Sequence, residues 1–487
     1  MKTFKLSLGW SFGSTYFNQM IRFISVIWVA RLLTPDEIGV FSIALAGFGF
    51  LQVFRDFGIG TYLVQHKQLN KAVVASALSV CMVICWCLAA IAYLSSDAIG
   101  SFYGRTEVAE IFSLLAINLL IIPFGTINLA ILKRKLMFKQ VAIIDAFSAI
   151  VSSICVVTFA YQGFSYLSPA LGSIAGCGAT VIASNLFRQK EMPLFPGLHG
   201  IKNVFKFGSL MSTSNIIKQI ESTGPELIIG KFMGMESVAL FNRGFSTAKL
   251  FNRFVLRSIR KISGAYFAEF NRKNQETLRS SFIKLQDYIV IVSWPFFAFL
   301  SIYAYETITV LYGNQWVFSA KLLPYFCLFI AVKSSFSLFD QLLINTGRVK
   351  THLSILYKVI LIQTLIVLYA ATKSLELIAM MMIAAPILRV VLISRAIKDV
   401  LGVNLSYLKS KSVIWISITS IFSILIYLFK IAMLALGAPK FVSLLAALGF
   451  AFVCWLCLIY LFKHPIFDEV KIFSINLYNK RVAGKQK

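Results

Sequence analysis

About fourteen apolar stretches, each near 20 residues or longer, run through almost the whole chain, and roughly 20 apolar residues are what a helix needs to cross the ~30 Å hydrocarbon core of a bilayer. The segments fall at 10–33, 37–62, 72–96, 107–132, 139–161, 164–187, 204–230, 236–262, 281–304, 317–345, 352–372, 375–397, 411–432 and 441–463. A chain with this pattern folds as an all-α polytopic membrane protein. The 58% hydrophobic and 14% charged residues, with a mean hydropathy of +0.79, exclude an ordinary soluble domain. Residues 1–30 lack a small-residue cleavage site and read as a retained first helix.

Several spans carry a cation at mid-depth: Arg22, Lys218, Lys249 and Lys333. Each costs about 2.5–3.5 kcal/mol at the centre of a membrane helix. A wet cavity relieves that cost, and a basic cavity attracts anions. The formal net charge of +27 has a second source, because multispan proteins concentrate Lys and Arg in their cytoplasmic connections.

Those connections alternate. Lys67 and Lys71, Lys133 to Lys139, Arg188 to Lys202, Arg272 to Arg279, Arg348 and Lys350, Lys398 to Lys411, and the tail from Lys480 to Lys487 form the basic set. The intervening connections, such as 161–165 and 306–315, are nearly neutral. The alternation puts both termini in the cytoplasm. The longer connection 188–203, with Pro193, Pro196 and Gly197, suggests a division into 1–200, 201–400 and 401–487. Short outer loops disfavour a membrane glycosyltransferase or polymerase.

An ungapped internal match supports two halves. Ala30-Arg-Leu-Leu-Thr-Pro-Asp-Glu-Ile-Gly-Val-Phe41 parallels Gly230-Lys-Phe-Met-Gly-Met-Glu-Ser-Val-Ala-Leu-Phe241 in residue character. Repeat interfaces near the midplane are where transporters place substrate. The helices joined by these turns also carry polar stripes at helical spacing. In the first span these are Ser11, Thr15, Asn18, Arg22 and Ser25; in the seventh, Ser212, Asn215, Lys218, Gln219 and Ser222; in the eighth, Asn242, Ser246, Lys249, Arg253 and Arg257. The second carries Ser42, Gly49, Gln52 and Asp56, with Arg55 alongside. A polar stripe either lines a cavity or glues helices together, and both readings stay open for the Ser and Asn residues.

Intramembrane acids at Asp56, Glu221 and Asp340 are candidates for ion coupling. Asp56 is equally placed to neutralise Arg55, and Glu221 to neutralise Lys218. No phosphate-binding Gly-x4-Gly-Lys-Ser/Thr loop is present. His66, His199, His352 and His464 fall in or beside cytoplasmic connections, away from any metal-ligating pattern. The eight cysteines lie in apolar spans and read as structural, Cys454 and Cys457 included. Pro123, Pro169, Pro225, Pro295, Pro324 and Pro386 lie within spans and favour bends. Gly172 and Gly176 have close-packing spacing. No enzyme, metal or cofactor is indicated; a carrier is.

Specific runs then resemble a family. Glu37-Ile-Gly-Val-Phe-Ser-Ile-Ala-Leu45 and Arg55-Asp-Phe-Gly-Ile-Gly-Thr-Tyr-Leu-Val-Gln65 resemble the signature of Wzx-type polysaccharide flippases. These belong to the superfamily (MOP) that also holds the multidrug and toxin extruders (MATE) and the lipid II flippases. Pro225-Glu-Leu-Ile-Ile-Gly-Lys231, Leu311-Tyr-Gly-Asn-Gln-Trp316 and Leu342-Leu-Ile-Asn-Thr-Gly-Arg-Val-Lys350 add to the likeness. His464-Pro-Ile-Phe-Asp-Glu-Val-Lys471 is similar to the colanic acid exporter branch. The likeness extends over residues 10–475.

The resemblance implies two six-helix lobes around a central cavity plus two C-terminal helices. It also implies alternating-access transfer of an undecaprenyl-pyrophosphate-linked oligosaccharide across the bacterial inner membrane, for exopolysaccharide, O-antigen or lipopolysaccharide assembly. Membrane lipids, a polysaccharide polymerase and a chain-length regulator are the implied partners, and nucleic acid is not. Lipid II flippases use cavity arginines from helices one, two and eight; Arg22 and Arg55 fit the first two, and Arg243 or Lys249 the third. With Lys218 and Lys333 these form the candidate pyrophosphate-binding set. Tyr16, Trp28 and Trp294 are candidates for sugar faces. The alternatives are a cation-drug antiporter, disfavoured because span one offers Arg22 and no acid, and a non-transporting component of an assembly complex.

Overall fold

A computed structural model describes residues 2–55, 58–66, 70–193, 196–197, 201–256, 275–401, 405–469 and 471, with 259, 263 and 267. Within this set the side chains of 2–8, 11–12, 65, 201–215, 275, 398, 400–401 and 405–411 are not described. Asp56 and Arg257 therefore lie outside the described residues, as do the side chains of Ser11, Ser212 and Asn215. Among the described residues the secondary structure is helical, without a strand. A bilayer leaves an isolated chain little else, since every backbone N–H and C=O must be paired within its own segment.

Each predicted span falls on helix in its described part. The first eight are α1 (Lys2–Leu32), α2 (Pro35–Arg55) with α3 (Ile59–Gln65), α4 (Lys71–Tyr103), α5 (Thr106–Ile121) with α6 (Pro123–Arg134), α7 (Phe138–Tyr161), α8 (Ser168–Leu186), α9 (Ile201–Met233) and α10 (Met235–Ala248). Then come α11 (Gln275–Ile302), the short α12 (Ala304–Tyr312), α13 (Val317–Ser334) with α14 (Phe339–Asn345), α15 (Val349–Ala370), α16 (Leu375–Met381) with α17 (Ala384–Leu401), α18 (Leu405–Ala435) and α19 (Lys440–Leu461).

Among the described residues, 10 helices are long and apolar enough to cross a membrane, and α5 with α6 makes an eleventh as one span bent by 50°. The other three predicted spans are α1, α9 and α10 with the π-helical turn Asn252–Leu256. At ~1.5 Å per residue, the 31 residues of α1 and 33 of α9 are ample in length. Their polar stripes are what lower their hydropathy.

Local chemistry sets the ends of these helices. Thr34 Oγ1 accepts the Glu37 amide at 3.4 Å while Glu37 Oε2 accepts the Thr34 amide at 2.7 Å. With Pro35 at the first helical position, this is a capping box that starts α2. Asn70 Oδ1 caps α4 by accepting the Val73 amide at 2.9 Å. Gly104, at φ 67°, closes α4 in the left-handed conformation.

Proline bends prove selective. Pro123 starts α6 at the 50° bend, whereas Pro225, Pro295 and Pro324 sit inside continuous helices. Pro169 lies in the first turn of α8 and Pro386 in the first turn of α17, where a missing amide costs little.

Contacts divide the chain into two compact units, residues 1–242 with 367–375, and 243–366 with 376–487. In the first unit α1 packs on α7, α7 on α8, and α2 on α5 and α9. The α7–α8 contact uses the predicted small residues: a Cβ on Gly176 would stand 2.7 Å from Ser152 Cβ, and one on Gly172 would collide with Val156. In the second unit α11 packs on α13 and α18, and α18 on α19. Its apolar core includes Val290, Ile418, Phe422 and Ile459, and Phe429 stacks on Phe450 at 4.3 Å.

Two buried acids pin that second unit. Asp287 on α11 accepts the Trp415 indole N–H at 2.6 Å and lies 3.2 Å from His464 Nε2. Glu306 on α12 meets Lys430 of α18 at 2.9 Å, and Lys430 also donates to the Ile302 carbonyl at 2.7 Å. The sequence pattern left His464 beside a connection without a partner acid. The fold supplies one from 177 positions upstream, as the numbers of the two residues show.

Candidate cationic transport path

In the first unit, α1 and α9 carry the predicted cations. Arg22 and Lys218 both have exposed side chains at mid-helix. Among the described residues neither makes a hydrogen bond or close ion pair. Arg22 does feel a charge from α7, where Asp145 lies within Coulombic range. Asp145 is an intramembrane acid that the sequence pattern passed over, although it sits within the 139–161 segment. Beside Arg22, Asn18 Oδ1 and Gln19 Oε1 are buried without a hydrogen-bond partner. Such atoms in a membrane helix call for water or a polar ligand.

Arg55 is the last residue of α2 and half-buried. There the unpaired carbonyls of the helix end favour a cation. It acts electrostatically on Cys177 of α8. The chain breaks between α2 and α3 at Gly58, whose φ is 73°, so the second span is two helices and not one. Glu221 is half-buried on α9. Among the described residues no ion pair joins it to Lys218.

In the second unit the structure brings two predicted cations to one aromatic cluster. Lys249 Nζ lies 3.7 Å from the Phe245 ring centroid, and Lys333 Nζ lies 5.7 Å from that of Phe329. The two rings meet edge-on at 5.7 Å, with Phe326 5.2 Å from Phe245. Ring faces attract ammonium groups by their quadrupole. That pairing keeps both charges at the cluster.

Arg243 is placed differently. Its guanidinium lies 4.7 Å from the Tyr312 centroid and 4.6 Å from that of Trp316, and the residue is 8% exposed. Thr247 donates to the Tyr312 hydroxyl at 3.2 Å and fixes that ring. Both rings hold Arg243 in the packed interior, whereas along the continuation of α10 Lys249 is partly exposed and Arg253 exposed. Among the aromatics, Tyr16 and Trp28 are exposed, while the Trp294 indole donates to Ser335 Oγ at 3.0 Å and serves helix packing.

Asp340 belongs to a triad that local spacing did not reveal. Arg389 Nη2 donates to its two oxygens at 2.7 and 2.6 Å, and His352 Nδ1 lies 3.3 Å from Oδ1. His352 is 6% exposed and Arg389 9%. His352 opens α15, beside a connection as the sequence indicates, and faces inward. Among the described residues no three His, Cys, Asp or Glu side chains converge as a metal site would require.

The two connections between spans 1–2 and 7–8 meet. Gly39 on α2 packs so closely on Met235 at the start of α10 that a Cβ there would run into the Met235 carbonyl. These residues belong to the two copies of the internal match. A model of the family described as "Polysaccharide biosynthesis protein" matches residues 28–321 of this chain. The chain belongs to that family. As a polysaccharide biosynthesis protein it is similar to the teichuronic acid biosynthesis protein TuaB of Bacillus subtilis (strain 168), with 23% identity over 327 residues, 64% of this chain and 65% of that one. It is also similar to the lipopolysaccharide biosynthesis protein WzxC of Escherichia coli (strain K12), at 21% over 346 residues, 70% of this chain and 69% of that one. The chain thus spans 65% and 69% of the length of these two relatives.

The fold matches the lipid II flippase MurJ in its inward closed conformation with a TM-score of 0.74 and 13% identity, over 93% of this chain and 98% of that one. The likeness is one of fold. These relatives are polysaccharide biosynthesis proteins and the matched structure is a lipid II flippase, and the candidate spans make this chain a multi-pass membrane protein.

Proposed function

We propose that this polysaccharide biosynthesis protein is a flippase. It carries an undecaprenyl-pyrophosphate-linked oligosaccharide across the bacterial inner membrane by alternating access through a cationic cavity. The observation that carries this reading is the state of Arg22 and Lys218, two mid-helix cations that stay exposed without a hydrogen bond or ion pair among the described residues. A membrane helix keeps such charges where a ligand or water compensates them. A pyrophosphate presents two negative charges and several acceptor oxygens, which a guanidinium meets with charge-assisted, bidentate hydrogen bonds.

In this reading Arg22, Arg55, Lys218, Lys249 and Lys333 are the candidate pyrophosphate-binding cations, while the polyprenyl tail stays in lipid. Residues 1–200 and 201–400 act as the two lobes, with 401–487 as an added helical pair and tail. The alternating basic connections place both termini in the cytoplasm. A polymerase and a chain-length regulator take the product on the far side.

The test is leaflet-resolved accumulation of lipid-linked oligosaccharide in cells lacking this protein, with and without its restoration. The expected result is accumulation on the cytoplasmic side that restoration relieves. Normal outer-leaflet delivery with polymer missing overturns the reading and moves the protein downstream of transfer.

A further inference from the structure

The triad Asp340, His352 and Arg389 joins three helices at one end of the second unit, and pyrophosphate binding has no use for it. Asp340 comes from α14, His352 from the first turn of α15 and Arg389 from α17. The pocket they share is otherwise apolar, with Phe339, Leu343 and Ile355 in its wall. Asp340, His352 and Arg389 are the charged or titratable side chains that the lining elements present there. Arg348 and Lys350, in the connection just before His352, are exposed.

The three groups divide the chemistry unequally. Arg389 keeps its proton at every relevant pH. Asp340 takes Arg389 on both oxygens, which commits it as a carboxylate. Only His352 offers a ring nitrogen that can act as a proton acceptor. Its Nδ1 faces Asp340 Oδ1 at 3.3 Å, so in the neutral ring Nδ1 carries the hydrogen and donates it. Nε2 is then left as the proton acceptor. We infer that this triad is a proton-binding site, with His352 Nε2 as the atom that takes the proton and the Asp340–Arg389 pair as its fixed electrostatic partner.

Uptake of one proton at Nε2 turns the site from neutral to singly positive and strengthens the tie from α15 to α14. Release weakens that tie. The connection 346–348 joins those two helices, so the proton acts beside the turn between α14 and α15. Coupling of this proton to transfer rests on the export reading above. The presence of the proton does not.

The experiment has two readouts on the full chain. First, proton uptake by the purified protein in detergent is titrated between pH 5 and 8, wild type against His352→Gln, with His352→Asn as a second variant and a monodisperse elution profile required of each. Loss of about one proton per chain from both variants is expected; no loss overturns the site and leaves the export reading untouched. Second, outer-leaflet delivery is followed with and without a protonophore. His352→Gln should lose the protonophore-sensitive part of delivery. Equal sensitivity in wild type and variant overturns coupling through this site. Absence of any delivery by the wild type overturns the export reading, while the proton count still stands.

Discussion

The guanidinium of Arg243 rests 4.6 Å from the centroid of Trp316 and 4.7 Å from that of Tyr312. A desolvated cation–π contact contributes about 2 kcal/mol or more. Arg243→Ala should therefore lower the thermal midpoint of the purified protein, and Arg243→Lys should recover only part of the loss, because an ammonium does not stack as a planar fork does. Unchanged melting with lost polymer export would mean that Arg243 serves the substrate and not the fold.

Arg22 makes the opposite prediction. It is exposed and, among the described residues, makes no hydrogen bond to an acid, so its removal should leave the midpoint near wild type. Arg22→Ala should abolish surface polymer at matched expression, and Arg22→Lys should retain a fraction. Asp145→Asn, which removes the nearby charge on α7, should change the apparent affinity for the lipid-linked substrate more than the folding. Equal polymer from Arg22→Ala and wild type would sink the cationic path.

Gly39 tests the contact between the two copies of the internal match. Its lack of a side chain lets α2 approach the Met235 carbonyl, and overpacking a tight contact costs typically about 1–3 kcal/mol. Gly39→Ala should lower the melting midpoint, and Gly39→Val should lower it further. A melting curve unmoved by both would show that the helices are not in close contact there.

Glu191 offers a pH test outside the membrane. Its carboxyl lies below its ordinary value of 4.5, chiefly because Lys135 donates to it at 2.7 Å. A depressed folded-state value means that the tie is complete above pH 4.5. It is lost as pH falls through the lower folded value. Both side chains are about one-third exposed, so the effect is small and salt-sensitive. Hydrogen exchange in the 187–193 connection should quicken in acid for wild type, while Lys135→Gln should show the quicker exchange at neutral pH already.

The helices were largely legible because a bilayer reduces the problem to segment length and apolarity. The described parts of the predicted segments fall largely on helix, and the Gly172–Gly176 spacing marks the α7–α8 contact. The breaks were less legible. The second span parts at Gly58 and the fourth bends at Pro123, whereas Pro225, Pro295 and Pro324 leave their helices intact. A proline's effect depends on its neighbours' packing, which lies outside the local pattern.

The candidate site divides the same way. Lys249 and Lys333 were marked by their depth in apolar segments, and they share an aromatic cluster. Their meeting was not written in spacing, since the two lie on different helices. His352 and His464 looked like connection residues because their neighbours in sequence are polar or basic. Their partners, Asp340 and Asp287, come from other helices, and helical periodicity is silent about pairings of that range. Asp145 had a simple sequence signal, an acid well inside an apolar segment.

The hold of Asp287 on Trp415 and His464 bears on how this protein is best handled. One carboxylate gathers the start of α18 and the residues just beyond α19, so a load hung on the tail is passed to a buried anion in the body of the molecule. A bulky fluorescent fusion at the C-terminal end would tug on that anchor, and a reporter of expression would double as a perturbation. An epitope in the exposed 161–163 turn, far along the chain from Asp287, is the gentler handle.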